Sequence, residues 1–175
     1  MTEPTLRSRT FVVLVDDKPG VLDRVASLFR RRAYNIESLA VGHTDKTGVS
    51  HITVVMNADD RTARLVEANL YKLVNVLDVQ DVSNVPSVTR DLALIKVKAG
   101  HDKRAEVLQI AEVFRARVVD VSPDALIFEI TGTEDKIDSL VDVLRPFGIE
   151  GLARTGRVAM VRATSEAVSS LEGVS

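Results

Sequence analysis

Apolar residues fall into two kinds of run along the chain, and the order of those runs predicts its fold. Residues 9–15, Arg-Thr-Phe-Val-Val-Leu-Val, are β-branched and nearly continuous in apolar character, the pattern of a central strand buried on both faces. Val21, Leu22, Val25, Leu28 and Phe29 then recur at three- and four-residue spacing, which predicts a helix with Asp23, Arg24, Ser27 and Arg31 facing outward. Residues 35–41 read as a second strand, 42–48 as a polar, glycine-bounded loop, and 49–56 as the returning strand with Ile52, Val54 and Met56 on one face. A helix is expected over 60–73 and a strand over 74–82. The order β-α-β-β-α-β is the split βαβ arrangement, in which two helices cover one face of a four-stranded antiparallel sheet.

The order then repeats. A strand over 90–97 is followed by a helix over 101–114 with Leu108, Ala111 and Phe114 inward. Strands over 117–121 and 125–130 flank Ser122-Pro123-Asp124. Thr133 stands where it would cap a helix that buries Ile137, Leu140, Val141 and Leu144, with Pro146-Phe147-Gly148 ending it and 149–162 as the last strand. The first strands of the halves lie about 81 positions apart. The expected fold is α+β: two ferredoxin-like domains over 1–84 and 90–163, a linker over 85–89, and a flexible tail over 164–175. Each sheet has one helix-free face. In the first domain that face and the sheet edges call for a partner, so a homodimer through sheet edges or helices is expected.

Composition narrows the function. At 45% hydrophobic residues the chain supports globular cores, and a net charge of -2 gives no global basic field for nucleic acid. An RNA-binding domain of this topology would carry stacking aromatics on its central strands, whereas aromatics are 4% of this chain. Cysteine is absent, which excludes disulfides and thiolate metal sites. No apolar run reaches membrane-spanning length, and residues 1–9 lack the apolar core of a signal peptide, so the expectation is a soluble cytoplasmic protein. His43, His51 and His101 form no metal-ligand spacing. Asp16-Asp17 could be paired carboxylates, though a turn suits them better. No nucleophile set, P-loop or GxGxxG is present.

What remains is a binding site in the turn Asp16-Asp17-Lys18-Pro19-Gly20-Val21-Leu22. Pro19 suits the first position of a helix, and the N–H groups of Gly20, Val21 and Leu22 would then be helix-start donors open to a carboxylate or phosphate. The same turn fits an ordinary strand-to-helix connection. Arg30-Arg31-Arg32 reads as cations at a negative helix end, with a phosphate patch as the alternative. Asp17 and strand-end carbonyls near Asn35 would receive an ammonium group, and the surrounding aliphatic residues a small side chain. Together these describe a free amino acid as ligand. Asn35 is equally a polar residue starting a strand.

Lys18-Pro19-Gly20-Val21-Leu22-x-Arg24-Val25 resembles the amino-acid-binding ACT domain. Arg32-Ala33-Tyr34-Asn35-Ile36-Glu37-Ser38-Leu39 resembles, more narrowly, the small regulatory subunit of acetohydroxyacid synthase (acetolactate synthase). Lys72-Leu73-Val74-Asn75-Val76, Arg90-Asp91-Leu92-Ala93-Leu94-Ile95-Lys96-Val97, Phe114-Arg115-Ala116-Arg117-Val118-Val119-Asp120-Val121, Thr131-Gly132, Lys136-Ile137-Asp138, Arg145-Pro146-Phe147-Gly148-Ile149 and Ala153-Arg154-Thr155-Gly156 continue the likeness over roughly residues 8–162. The resemblance implies a non-catalytic chain that activates a large catalytic subunit carrying thiamine diphosphate, magnesium and FAD, with no cofactor of its own. It also implies feedback inhibition by valine, bound between paired ACT domains, at Asp17, Gly20, Val21, Asn35 and Ile36 with Gly42 nearby. A free-standing tandem ACT sensor acting on another partner is the alternative. The sequence departs from the family pattern at Asp17, where Asn is common, at Ala33, where Gly is common, and at His51, where Arg is common.

Overall fold

The structure, a computed structural model, describes residues 5–163. The tail expected over 164–175 lies outside the described residues. The chain divides into two compact units: the described residues up to Val88 together with those from Arg157 onward, and Thr89–Gly156.

In the first unit β1 (Arg7–Asp16) is central, α1 is Val21–Arg31, β2 Ser38–His43, β3 Val49–Ala58, α2 Asp60–Leu70 and β4 Val76–Asp81. The sheet order is β2-β3-β1-β4, with every pairing antiparallel. Alternation along β1 sends Phe11, Val13 and Val15 to one face, where they meet Ile52, Val54 and Met56 of β3 and the buried Val21, Val25, Leu28 and Phe29 of α1. From α2, Ala63, Val66 and Leu70 complete this core. The α2 start is fixed by Asp59, whose carboxylate accepts the Thr62 N–H at 2.7 Å. Buried Arg9 is neutralised by Asp60 and by Asp81 at 3.7 Å.

Helix α1 ends in a Schellman motif. Tyr34 N–H donates to the Phe29 carbonyl at 3.0 Å while Ala33, at φ 55, makes the left-handed turn that glycine ordinarily takes. Tyr34 packs edge-on against Phe29, with ring centroids 6.1 Å apart. Residues 35–37, expected in a strand from 35 onward, are the approach to β2, which pairs from Ser38.

The face opposite the helices was expected to call for a partner. It is covered within the chain. The last strand expected over 149–162 is two strands, β8 (Ile149–Arg154) and β9 (Val158–Val161), and β9 belongs to the first unit. Thr10, Val55 and Ser38 lie in one cross-strand row on the helix-free face. The Arg157 guanidinium donates to Thr10 Oγ1 at 3.0 Å and its N–H to Ser38 Oγ at 2.8 Å. His51 is hydrogen-bonded to the Ala159 main chain. Thr10, Thr53 and Val55 are buried as a result. The sheet edges of this unit are β2, where Val41, Gly42 and His43 are exposed, and β4, where Leu77 is exposed.

The second unit repeats the plan with β5 (Ser87–Lys98), α3 (Arg104–Val113), β6 (Arg117–Val121), β7 (Ala125–Gly132), α4 (Glu134–Leu144) and β8. Its strand order is β6-β7-β5-β8. Ile95, Phe128, Ile130, Ile137, Leu140 and Leu144 are the large residues of its core. Ser87, Val88 and Thr89, expected in the linker, already form the start of β5. Thr133 occupies the N-cap position of α4 without a side-chain cap bond.

Candidate functional site

The β1–α1 turn is held from two sides. Asp16 N–H donates to the Asn75 carbonyl at 2.9 Å, and Asp17 N–H to the Gly48 carbonyl at 2.8 Å. The Asp16 carboxylate accepts from Lys18 Nζ and from Asn75 Nδ2, each at 2.8 Å. Those two hydrogen bonds, Lys18 foremost, hold its carboxyl below the ordinary aspartate range. Asn75 reaches Asp16 from a left-handed conformation, φ 75, and its Oδ1 accepts from Arg24 at 2.7 Å. Asp16 is therefore an ionised tie between β1, the α2–β4 connection and α1, rather than half of an acid/base pair.

Gly20 is the N-cap of α1 at φ 83, and the helix starts at Val21. This corrects two expectations. Pro19 lies before the cap instead of at the first helical position, and the Val21 N–H is engaged, donating to the Lys18 carbonyl at 3.3 Å. Among the described residues the N–H groups of Gly20, Leu22 and Asp23 have no protein partner. A β-carbon built at Gly20 would meet no non-neighbouring atom within 4 Å, so the space beside this helix start is open. The Val21 side chain is buried in the core and its N–H is engaged by Lys18, so Val21 shapes the turn without offering a free donor.

Asp17 faces the end of β2. Its Oδ2 lies 3.4 Å from Nδ1 of His43, the residue after Gly42. Gly42 and His43 pair with His51 and Ser50, which in turn stand opposite Leu14 and Val15. Asp17, Gly20 and Gly42 thus gather at one end of the sheet. Asn35 and Ile36 do not join them. They precede Ser38, which pairs with Val55 at the other end of β2. With α1 spanning 11 residues, Asn35 and Gly20 are separated by about 16 Å of helix. The Asn35 side chain is exposed and makes no hydrogen bond to the protein, while Ile36 packs on the core. The candidate residues of one chain therefore fall into two groups at opposite ends of α1.

Sequence reasoning missed Asn75, Arg24, Gly48 and His43. Asn tolerates a left-handed turn, so Asn75 between two apolar segments was the available signal. Nothing local pointed from His43 to Asp17. The corresponding turn in the second unit is closed on itself: Lys103 and Arg104 N–H both donate to the Gly100 carbonyl, and the Arg104 guanidinium spans the carbonyls of Ala99, Ser122 and Pro123. Among the described residues no His, Asp and Glu side chains gather as a metal-holding group.

Comparison with known families decides the class. Residues 11–78 match the family model described as AHAS small subunit-like ACT domain, and residues 90–163 match that for the small subunit of acetolactate synthase. The chain belongs to the acetolactate synthase small-subunit family. A probable acetolactate synthase small subunit from Archaeoglobus fulgidus is 50% identical over 153 residues, covering 87% of this chain and 96% of the relative. The acetolactate synthase small subunit of Mycobacterium bovis is 46% identical, covering 89% and 93%. The crystal structure of the small subunit from Thermotoga maritima superposes with a TM-score of 0.85 at 40% identity, covering 91% of this chain and 99% of that one. As a member of this small-subunit family the chain is regulatory and non-catalytic. Among the described residues, no helix is long and apolar enough to cross a membrane.

Proposed function

We propose that this small subunit activates a large catalytic subunit, in which thiamine diphosphate, Mg2+ and FAD reside, and subjects it to feedback inhibition by valine. The protein works in the cytoplasm, in branched-chain amino acid biosynthesis. Valine binds where the first units of two copies meet. Its carboxylate lies on the free N–H groups at Gly20 and Leu22, its ammonium on Asp17, and Asn35 and Ile36 come from the second copy.

The observation that carries this reading is the division of the site residues into two half-sites about 16 Å apart along α1. The helix-free face is already covered, and of the two sheet edges, β2 and β4, it is β2 that carries Gly42 and His43 beside the turn, so β2 is the pairing edge in this reading. A two-fold axis pairing β2 with β2 of a second copy runs the strands antiparallel. The segment before Ser38 of one copy then lies beside Gly42 and His43 of the other, and the two half-sites meet. The test is to assay pyruvate condensation by the small subunit, the catalytic subunit and their mixture, with and without valine. The small subunit alone is expected to be inert, the mixture faster than the catalytic subunit, and the gain sensitive to valine. Turnover by this chain alone, or no change on mixing, would overturn the reading.

A further inference from the structure

The candidate effector site holds one side chain that the proposed valine contacts do not use. His43, at the end of β2, places Nδ1 3.4 Å from Asp17 Oδ2. Both side chains are open to solvent, His43 at 83% and Asp17 at 48%, so a ligand can reach either. Asp17 is also the carboxylate at this turn that is left for a ligand, because Asp16 is taken by Lys18 and Asn75.

We propose that His43 governs the availability of Asp17 to the effector ammonium, so that amino-acid binding strengthens as the imidazole loses its proton. This rests on the effector site proposed above. The argument is one of competition. A protonated imidazole is a cation donating to the oxygen that the ligand's ammonium would use, and the two cannot both be well satisfied by an exposed carboxylate. A neutral imidazole leaves Asp17 with its full charge facing the ligand. Histidine is the side chain whose charge ordinarily changes between pH 5 and 8, a range over which a ligand's ammonium keeps its own. The charged or titratable residues on the elements beside His43 are Asp16 and Lys18 in the turn, Asp45 and Lys46 in the β2–β3 loop, and His51 on β3, which pairs with Gly42. Asp16 and Lys18 are paired with each other, and His51 is bonded to Ala159; among the described residues Asp17 is the carboxylate in ion-pair contact with His43. Exposed ion pairs are weak, so the expected effect is on the order of two- to fivefold in affinity.

The test is calorimetric titration of the full-length chain with valine between pH 5.5 and 8.0. The wild-type dissociation constant is expected to fall about two- to fivefold as pH rises. His43→Gln should bind at pH 5.5 as tightly as the wild type does at pH 8.0, with no slope. Asp17→Asn should be flat and weaker throughout. Gly20→Asp separates the two readings. If it binds like the wild type, the effector site itself is elsewhere. If it abolishes binding while the wild-type constant is flat with pH, or while His43→Gln keeps the wild-type slope, the role given to His43 is wrong.

Discussion

Replacing Gly20 by Asp probes the effector site most directly, provided charge is separated from backbone strain. Gly20 sits at φ 83, a conformation that costs an L residue about 1 kcal/mol, less for Asn and Asp than for others. Among the described residues no atom beyond its chain neighbours lies within 4 Å of the added Cβ, so backbone strain is the main structural effect. Gly20→Asn carries the same strain without the charge. Both variants should melt a few degrees below the wild type, since about 1 kcal/mol corresponds to roughly 2–8 °C in units and chains of this size. The charge acts only on the ligand. A carboxylate about 4 Å from the effector carboxylate costs on the order of 1 kcal/mol in water and several when partly desolvated. Each 1.4 kcal/mol is tenfold in affinity, so Gly20→Asp should need at least about fivefold more valine for inhibition and Gly20→Asn much less. The assay is acetolactate formation by the reconstituted enzyme over a valine titration, with circular dichroism as a folding control. Activation should persist. A folded Gly20→Asp complex with wild-type inhibition would move the effector away from this turn, and equal resistance in both variants would show that strain, not charge, is responsible.

Three further outcomes follow from the fold. Ala33→Gly should raise stability by up to about 1 kcal/mol in thermal or chemical denaturation, because it removes a left-handed alanine at an exposed position, and a lower midpoint would mean the turn is unstrained. Arg157→Ala should destabilise the chain by about 1–2 kcal/mol by leaving Thr10 Oγ1 unsatisfied under β9, and an unchanged urea midpoint would mean that face needs no such cover. His51 has its pKa lowered, chiefly by desolvation, so the unfolded chain takes up its proton first; this contribution to stability is complete above about pH 6.5 and is lost as pH falls below that. His51→Gln should flatten the pH dependence of stability below pH 6.5, and an equally steep fall in the variant would assign it to other groups.

The elements legible in the sequence were those whose period is set by a single core. Phe11, Val13 and Val15 alternate into the α1 face, and Val25, Leu28 and Phe29 return to it at helical spacing, so β1 and α1 could be read directly. The same holds for Ile95 with Ile137, Leu140 and Leu144 in the second unit. Boundaries were less legible because they depend on distant hydrogen bonds. β2 begins only where Ser38 finds Val55, and the first helix begins after Gly20 because that residue turns left-handed. The destination of β9 could not be read at all. Val158–Val161 has the composition of any short strand, and its place over Thr10 and Thr53 is decided by Arg157, whose partners lie 147 and 119 positions away. At the site, the Pro-Gly turn announced the helix start, with Gly20 as its N-cap. The pairing of Asp17 with His43 required the sheet register that carries β2 past that turn.

The return of β9 also sets an order of assembly during synthesis. The first unit has its helices and four sheet strands once residue 81 has been made, yet the strand that covers Thr10, Thr53 and Val55 ends at residue 161. At about 5–20 residues per second, the ribosome needs some 4–16 s to supply the intervening chain. Through that interval a sheet face meant to be dry stays wet on the nascent chain. On a polysome, the neighbouring nascent chain offers an equivalent β9 to the same face, so an exchanged strand between two copies is the misassembly this topology invites.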